Sequence, residues 1–110
     1  MDKVLEEIAD IIQEYNTMNV LDIERLNHLL KALTTRLYYL ETVRSTYHNN
    51  YVGIQQKYIK EGDSVSGAKN KAELEVPELY MLRRIMQAGY ENVGAMRTNI
   101  SYLKSEMRNV

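Results

Sequence analysis

Over residues 23–58 the apolar and aromatic positions advance in alternating steps of three and four: Ile23, Leu26, Leu30, Leu33, Leu37, Leu40, Arg44, Tyr47, Tyr51, Ile54, Tyr58. A repeat of 3.5 holds these side chains on one seam of a single helix, the pattern by which coiled coils keep a seam turned toward a partner. The seam is aliphatic up to Leu40 and tyrosine-rich beyond it, with Arg44 at the junction. Arg44 reads either as a long-stemmed charge snorkelling from the seam or as a polar position that fixes register. A helix over about residues 20–60 would be roughly 60 Å long at ~1.5 Å per residue, so it needs partners along its whole length. Asn19 is the expected N-cap, with Asp22 near the positive end of the helix dipole. Asn49-Asn50 and Gly53 are its weak points, the glycine being a candidate kink.

A second seam has the same alternation: Leu79, Leu82, Met86, Gly89, Val93, Met96, Ile100, Leu103, Met107. It predicts a helix over 77–108, with Pro77 in the first turn and Glu78 beside it. A glycine on a packed seam admits a large neighbour, and the tyrosines of the long helix are natural candidates to meet Gly89. Ahead of both, residues 2–15 place Val4, Leu5, Ile8, Ile11, Ile12 and Tyr15 on one face and acids on the rest, an amphipathic helix. The connector, 61–76, opens with a Gly62-Asp63-Ser64 turn and N-cap, after which Val65, Ala68 and Ala72 support one or two helical turns. The expectation is one all-α domain over 1–110: a long antiparallel, coiled-coil-like helical hairpin with the short first helix at its open end. Leu29 and Val43 on the long helix and Tyr80, Met81 and Ile85 on the last form further apolar stripes. The short first helix is too short to cover a rod of this length, so self-association into a homo-oligomer is expected.

Composition narrows the chemistry. Cysteine is absent, which excludes disulfides, a thiol nucleophile and a zinc–thiolate site. No apolar run approaches the ~18 residues that span a bilayer, and the Met-Asp-Lys start lacks a signal-like apolar segment, so a cytoplasmic location without membrane association is expected. The net charge of −1 conceals an uneven distribution. Seven acids stand against Lys3 alone up to Glu24, whereas six bases stand against Glu41 alone from Arg25 to Lys60. The last helix is basic as well. His28 and His48 lie too far apart along one helix to share a metal, and Gly62 and Gly67 fit neither the phosphate loop nor the dinucleotide fingerprint. The chain is read as a non-enzyme with no metal and no cofactor.

One line of residues points elsewhere. Arg83, Tyr90, Arg97 and Lys104 recur every seven residues beside the last seam. In an antiparallel pair they face Asn27, Thr34, Glu41, His48 and Gln55, of which Glu41 alone is an anion. Arg36 and Lys57 flank the opposite side of the long seam, with Lys60 one turn beyond. Such a line is either a track for a nucleic-acid backbone, its cations on phosphates and its tyrosines on bases, or a solvated flank, or a set of cations paired with the acids of the first helix.

Two stretches, Lys57-Tyr58-Ile59-Lys60-Glu61-Gly62-Asp63 and Ala72-Glu73-Leu74-Glu75-Val76 followed by a helix closing on Ile100-Ser101-Tyr102-Leu103-Lys104-Ser105, resemble bacteriophage recombination mediators of the UvsY type. The resemblance covers about the last half of the chain. It implies a ring-like homo-oligomer that binds single-stranded DNA and helps a recombinase load onto coated strands in the host cytoplasm. It places DNA contacts at Lys57, Tyr58 and Lys60. The acidic first helix departs from that pattern and competes with DNA for the track or supplies a recombinase contact. The alternative is a coiled-coil interaction module, whether adaptor, chaperone, inhibitor or virion scaffold component, whose partner is a protein.

Overall fold

The computed structural model describes residues 1–108 and is built from four helices: α1 (Asp2–Thr17), α2 (Ile23–Lys60), α3 (Val65–Glu75) and α4 (Pro77–Arg108). They form a rod of 68 × 27 × 19 Å. α2 and α4 make the antiparallel hairpin, α1 packs along its open end, and α3 folds back on α2 at the closed end.

Local chemistry sets the boundaries. α2 begins at Ile23, later than the capping pattern suggests, because Asn19 is engaged in a turn of its own. Its carbonyl accepts from the Asp22 N–H and its side chain from the Leu21 N–H. Asp22 is the actual cap, accepting from the Arg25 N–H at 3.1 Å. At the far end Gly62 takes φ 104°, the Asp63 N–H reaches the Tyr58 carbonyl and the Gly62 N–H reaches that of Ile59. That is a Schellman closure, which needs a left-handed residue and hence a glycine. Between these ends α2 is one unbroken helix, and Gly53 sits exposed within it.

The aliphatic half of the long seam is the core. Leu26, Leu33, Leu37 and Leu40 are fully buried, while Tyr47, Tyr51, Ile54 and Tyr58 are half-buried. On α4 the seam from Leu79 to Ile100 is buried, and Met107 emerges into solvent. Gly89 meets Leu37, not a tyrosine. A Cβ built there would lie 2.6 Å from a Leu37 methyl. The contact places Gly89 beside the aliphatic part of α2 and away from its tyrosine half.

The connector holds more helix than its sequence suggested. Ser64 caps α3, and the buried stripe is Ala68, Ala72 and Val76, with Val65 outside. Small alanines let α3 lie close against α2, and Lys71 ties it down through Asp63 at 2.7 Å. α1 likewise covers more than its length implied. Leu29 is buried beneath it and Val43 and Ile85 are half-covered, leaving Tyr80 and Met81 open at 68% and 49%.

Gly53 and Gly89 should respond oppositely to substitution. Gly53 has nothing within 4 Å of a new Cβ, so Gly53→Ala should stabilise by roughly 0.5–1 kcal/mol through helix propensity. Gly89→Val drives its branches into Leu37 and should destabilise by about 1–3 kcal/mol through overpacking. Urea unfolding of the two variants checks both.

Candidate nucleic-acid interface

The heptad line on α4 lies along the α2–α4 groove. The Tyr90 hydroxyl donates to Glu41 Oε1 at 2.8 Å, and Arg83 Nη2 lies 3.4 Å from His48 Nδ1. These contacts join the two heptad rows and fix the register between them: 83 beside 48, 90 beside 41. Continued in sevens, Arg97 falls beside Thr34 and Lys104 beside Asn27, neither of them charged.

Glu41 was the one anion expected to neutralise a cation of this line. It accepts instead from Tyr90 and from Arg44 of its own helix, the latter at 3.0 Å. Those two hydrogen bonds, the Tyr90 one first, hold its carboxyl below the usual carboxylate range. The Tyr90 pKa is correspondingly pushed up, by burial first and by Glu41 second, and the residue is 42% exposed. Arg44 thereby resolves as a half-buried cation paired within its own helix. Arg83, Arg97 and Lys104 make no ion pair among the described residues.

The acids of α1 are placed elsewhere. Glu14 bridges Arg25, whose guanidinium lowers its carboxyl, and Glu7 meets Arg36 at 2.7 Å. α1 lies against the other flank of α4: the Asn99 amide donates to the Tyr15 hydroxyl. Asn99 is two residues beyond Arg97, about 200° around a helix at ~100° per residue. Acidic helix and cationic line are therefore on opposite sides of the α4 seam.

Lys57, Tyr58 and Lys60 form a separate group at the closed end. Lys57 and Lys60 are exposed in the last turn of α2, with Lys57 on the flank shared with Arg36, away from the α4 line. Tyr58 is occupied: its hydroxyl donates to Glu75, and the Lys71 ammonium lies 5.0 Å over its ring. The Glu75 bond raises its pKa. α3 thus takes one ring face and the hydroxyl of a residue that sequence reasoning offered for stacking.

Other residues join the line without having been singled out. Tyr38, 66% exposed, is close enough to Tyr90 to raise its pKa, and Lys31 stands one heptad before it. Their seven-residue spacing was a visible signal, although it lies one row further out on α2. Near Arg83 a groove of about 670 Å³ opens between α3 and α4, lined by Tyr51, Leu74, Val76, Leu79 and Tyr80, with Lys69 on its wall. No metal-holding cluster of His, Cys, Asp or Glu occurs among the described residues, and no described helix is long and apolar enough to cross a membrane. The chain matches no family model, no curated protein and no solved structure.

Glu41 should carry a small acid-sensitive share of stability. Its folded pKa is depressed, so the contribution is present above the ordinary carboxylate range and is lost as pH falls through that range toward the folded value. The pair is partly solvent-screened, so Glu41→Gln should cost no more than about 1 kcal/mol at neutral pH. Thermal unfolding should show that cost vanishing on acidification.

Proposed function

We propose that the protein is a non-enzymatic accessory protein that binds single-stranded DNA as a homo-oligomer, in the manner of UvsY-type phage recombination mediators acting in the host cytoplasm. One observation carries the reading: Arg83, Arg97 and Lys104 form a line without ion-pair partners among the described residues, on the flank of α4 away from the acidic helix. Backbone phosphates spaced along a strand are the counterions such a line takes up, releasing their own condensed cations. Tyr90 and Tyr38 add exposed rings beside the cations, and base–aromatic stacking is the usual sequence-tolerant complement. The exposed rings of Tyr90 and Tyr38 can be reached only by unstacked bases, which favours single strands over duplex. Lys57 and Lys60 form a second positive patch at the closed end, where Tyr58 supports α3. The exposed Asp2, Glu6 and Asp10 of α1, on the helix away from the line, are available to a protein partner such as a recombinase.

A second reading, a coiled-coil interaction module, is favoured by Leu74 and Tyr80, exposed at 82% and 68% beside the α3–α4 groove. The two readings part on a titration of a labelled oligonucleotide. Three phosphate contacts predict a salt slope near −2, or roughly 18-fold weaker binding from about 50 to about 200 mM salt. Reversing Arg97 and Lys104 to Glu should weaken binding at least tenfold, while Lys3→Glu on α1 should leave it unchanged. Unaltered affinity in the double reversal would remove the line. Absence of any complex would favour the interaction module.

A further inference from the structure

The outer face of α4, turned away from α2, has a pattern that is complementary to itself. Met81, Ala88, Ala95 and Tyr102 recur every seven residues, and all four are exposed. Beside them, also seven apart and exposed, stand Arg84 and Glu91. Neither makes an ion pair among the described residues. Arg84 lies 5.9 Å over its own Tyr80 ring, and Glu91 accepts from the Gln87 amide at 3.3 Å. We propose that a second copy of this chain docks on this face, α4 against α4 and antiparallel, about a twofold axis passing between Gln87 and Ala88. Arg84 of each copy then meets Glu91 of the other. The inference rests on the self-association in the proposed function and assigns it a surface.

Charge and size complementarity select a second copy as the occupant. A twofold interface requires that every feature find its complement on the same surface, turned by 180° about the axis. Arg84 and Glu91 satisfy this with opposite signs about one midpoint, forming two equivalent ion pairs. The same register sets large side chains across from small ones: Met81 opposite Ala95, and Tyr80 opposite Gly94, where an added Cβ would find nothing within 4 Å. At each end Tyr102 comes level with Leu74 of the second copy, 82% exposed at the mouth of the α3–α4 groove. Ala88 at the centre permits the close axial approach of packed helices, about 8–10 Å.

This geometry has a consequence for the basic line. A twofold axis perpendicular to the plane of the paired helices keeps whatever lies above that plane above it in both copies. The Arg83–Lys104 line is on one side of α4 and the α1 flank, marked by Asn99, on the other. Both lines therefore share one face of the dimer, antiparallel to each other, and both acidic helices share the opposite face.

Sedimentation equilibrium of the full chain, without DNA, tests the pairing. The wild type should show about twice the chain mass of 12.9 kDa. Arg84→Glu and Glu91→Arg should each place like charges across the axis and weaken the dimer at least tenfold, with helicity by circular dichroism unchanged. Equimolar mixing of the two variants, or R84E/E91R in one chain, should restore it. A monomeric wild type, or single reversals without effect, or no restoration in the double variant, would overturn the proposal. Oligonucleotide titration of the same samples separates the two ideas. A swap-restored dimer that binds no DNA keeps this interface and removes the DNA reading, and a monomer with salt-sensitive binding does the reverse.

Discussion

Leu37 packed into the space above Gly89 is the contact on which the rest of the molecule depends. With no side chain at 89, α4 approaches α2 at the point where the core is entirely aliphatic. That approach sets the hairpin register, and the register decides which polar residues face each other along the groove. Tyr90 falls on Glu41 and Arg83 on His48, while Arg97 and Lys104 fall beside uncharged residues. A shift by one helical turn would redistribute all four. The chemistry of the surface is thus a consequence of packing in the core.

The second constraint is how the acids are distributed. A chain of nearly zero net charge could neutralise itself locally, and here much of it does: Glu14 with Arg25, Glu7 with Arg36, Glu41 with Arg44, Asp63 with Lys71. Each of these pairs lies within α2, between α2 and α1, or at the α3 turn. α4 takes part in none of them. Its apolar seam is used against α2 and its Asn99 flank against α1, which leaves the cationic flank and the outer face as its two solvent-facing surfaces. These two surfaces are open to ligands, and a twofold pairing through the outer face would align the cationic flanks.

Much of the fold was legible because seams are periodic. An unbroken three–four alternation over Ile23–Tyr58 and Leu79–Met107 specifies two long helices, and the grading from leucine to tyrosine anticipates the grading from buried to half-buried. What periodicity does not carry is local competition and register. Asn19 and Asp22 are both good caps, and only the turn that engages Asn19 decides between them. Ala68 and Ala72 carry too little apolar signal to announce a three-turn helix, so Val65 drew attention that its exposed position does not merit. The partner of Gly89 depends on which register the two seams adopt, and an alternation of threes and fours fits several. The candidate site was legible in part: the heptad of Arg83, Tyr90, Arg97 and Lys104 stood out, and so did its facing row. That Glu41 would bind Tyr90 and Arg44, or that Glu75 and Lys71 would claim Tyr58, depends on side-chain rotamers and on α3, neither of which a one-dimensional pattern specifies.

In the free protein the acidic helix and the cationic line occupy opposite flanks of α4. Nuclear Overhauser contacts in a labelled sample without DNA test this most directly. Cross-peaks are expected between the Tyr15 ring and the Asn99 side-chain amide, and between the side chains of Glu7 and Arg36, with none from any α1 side chain to Arg83, Arg97 or Lys104. Cross-peaks from Glu6, Asp10 or Glu14 to Arg97 or Lys104 would contradict it, because the line would then carry its anions within the chain.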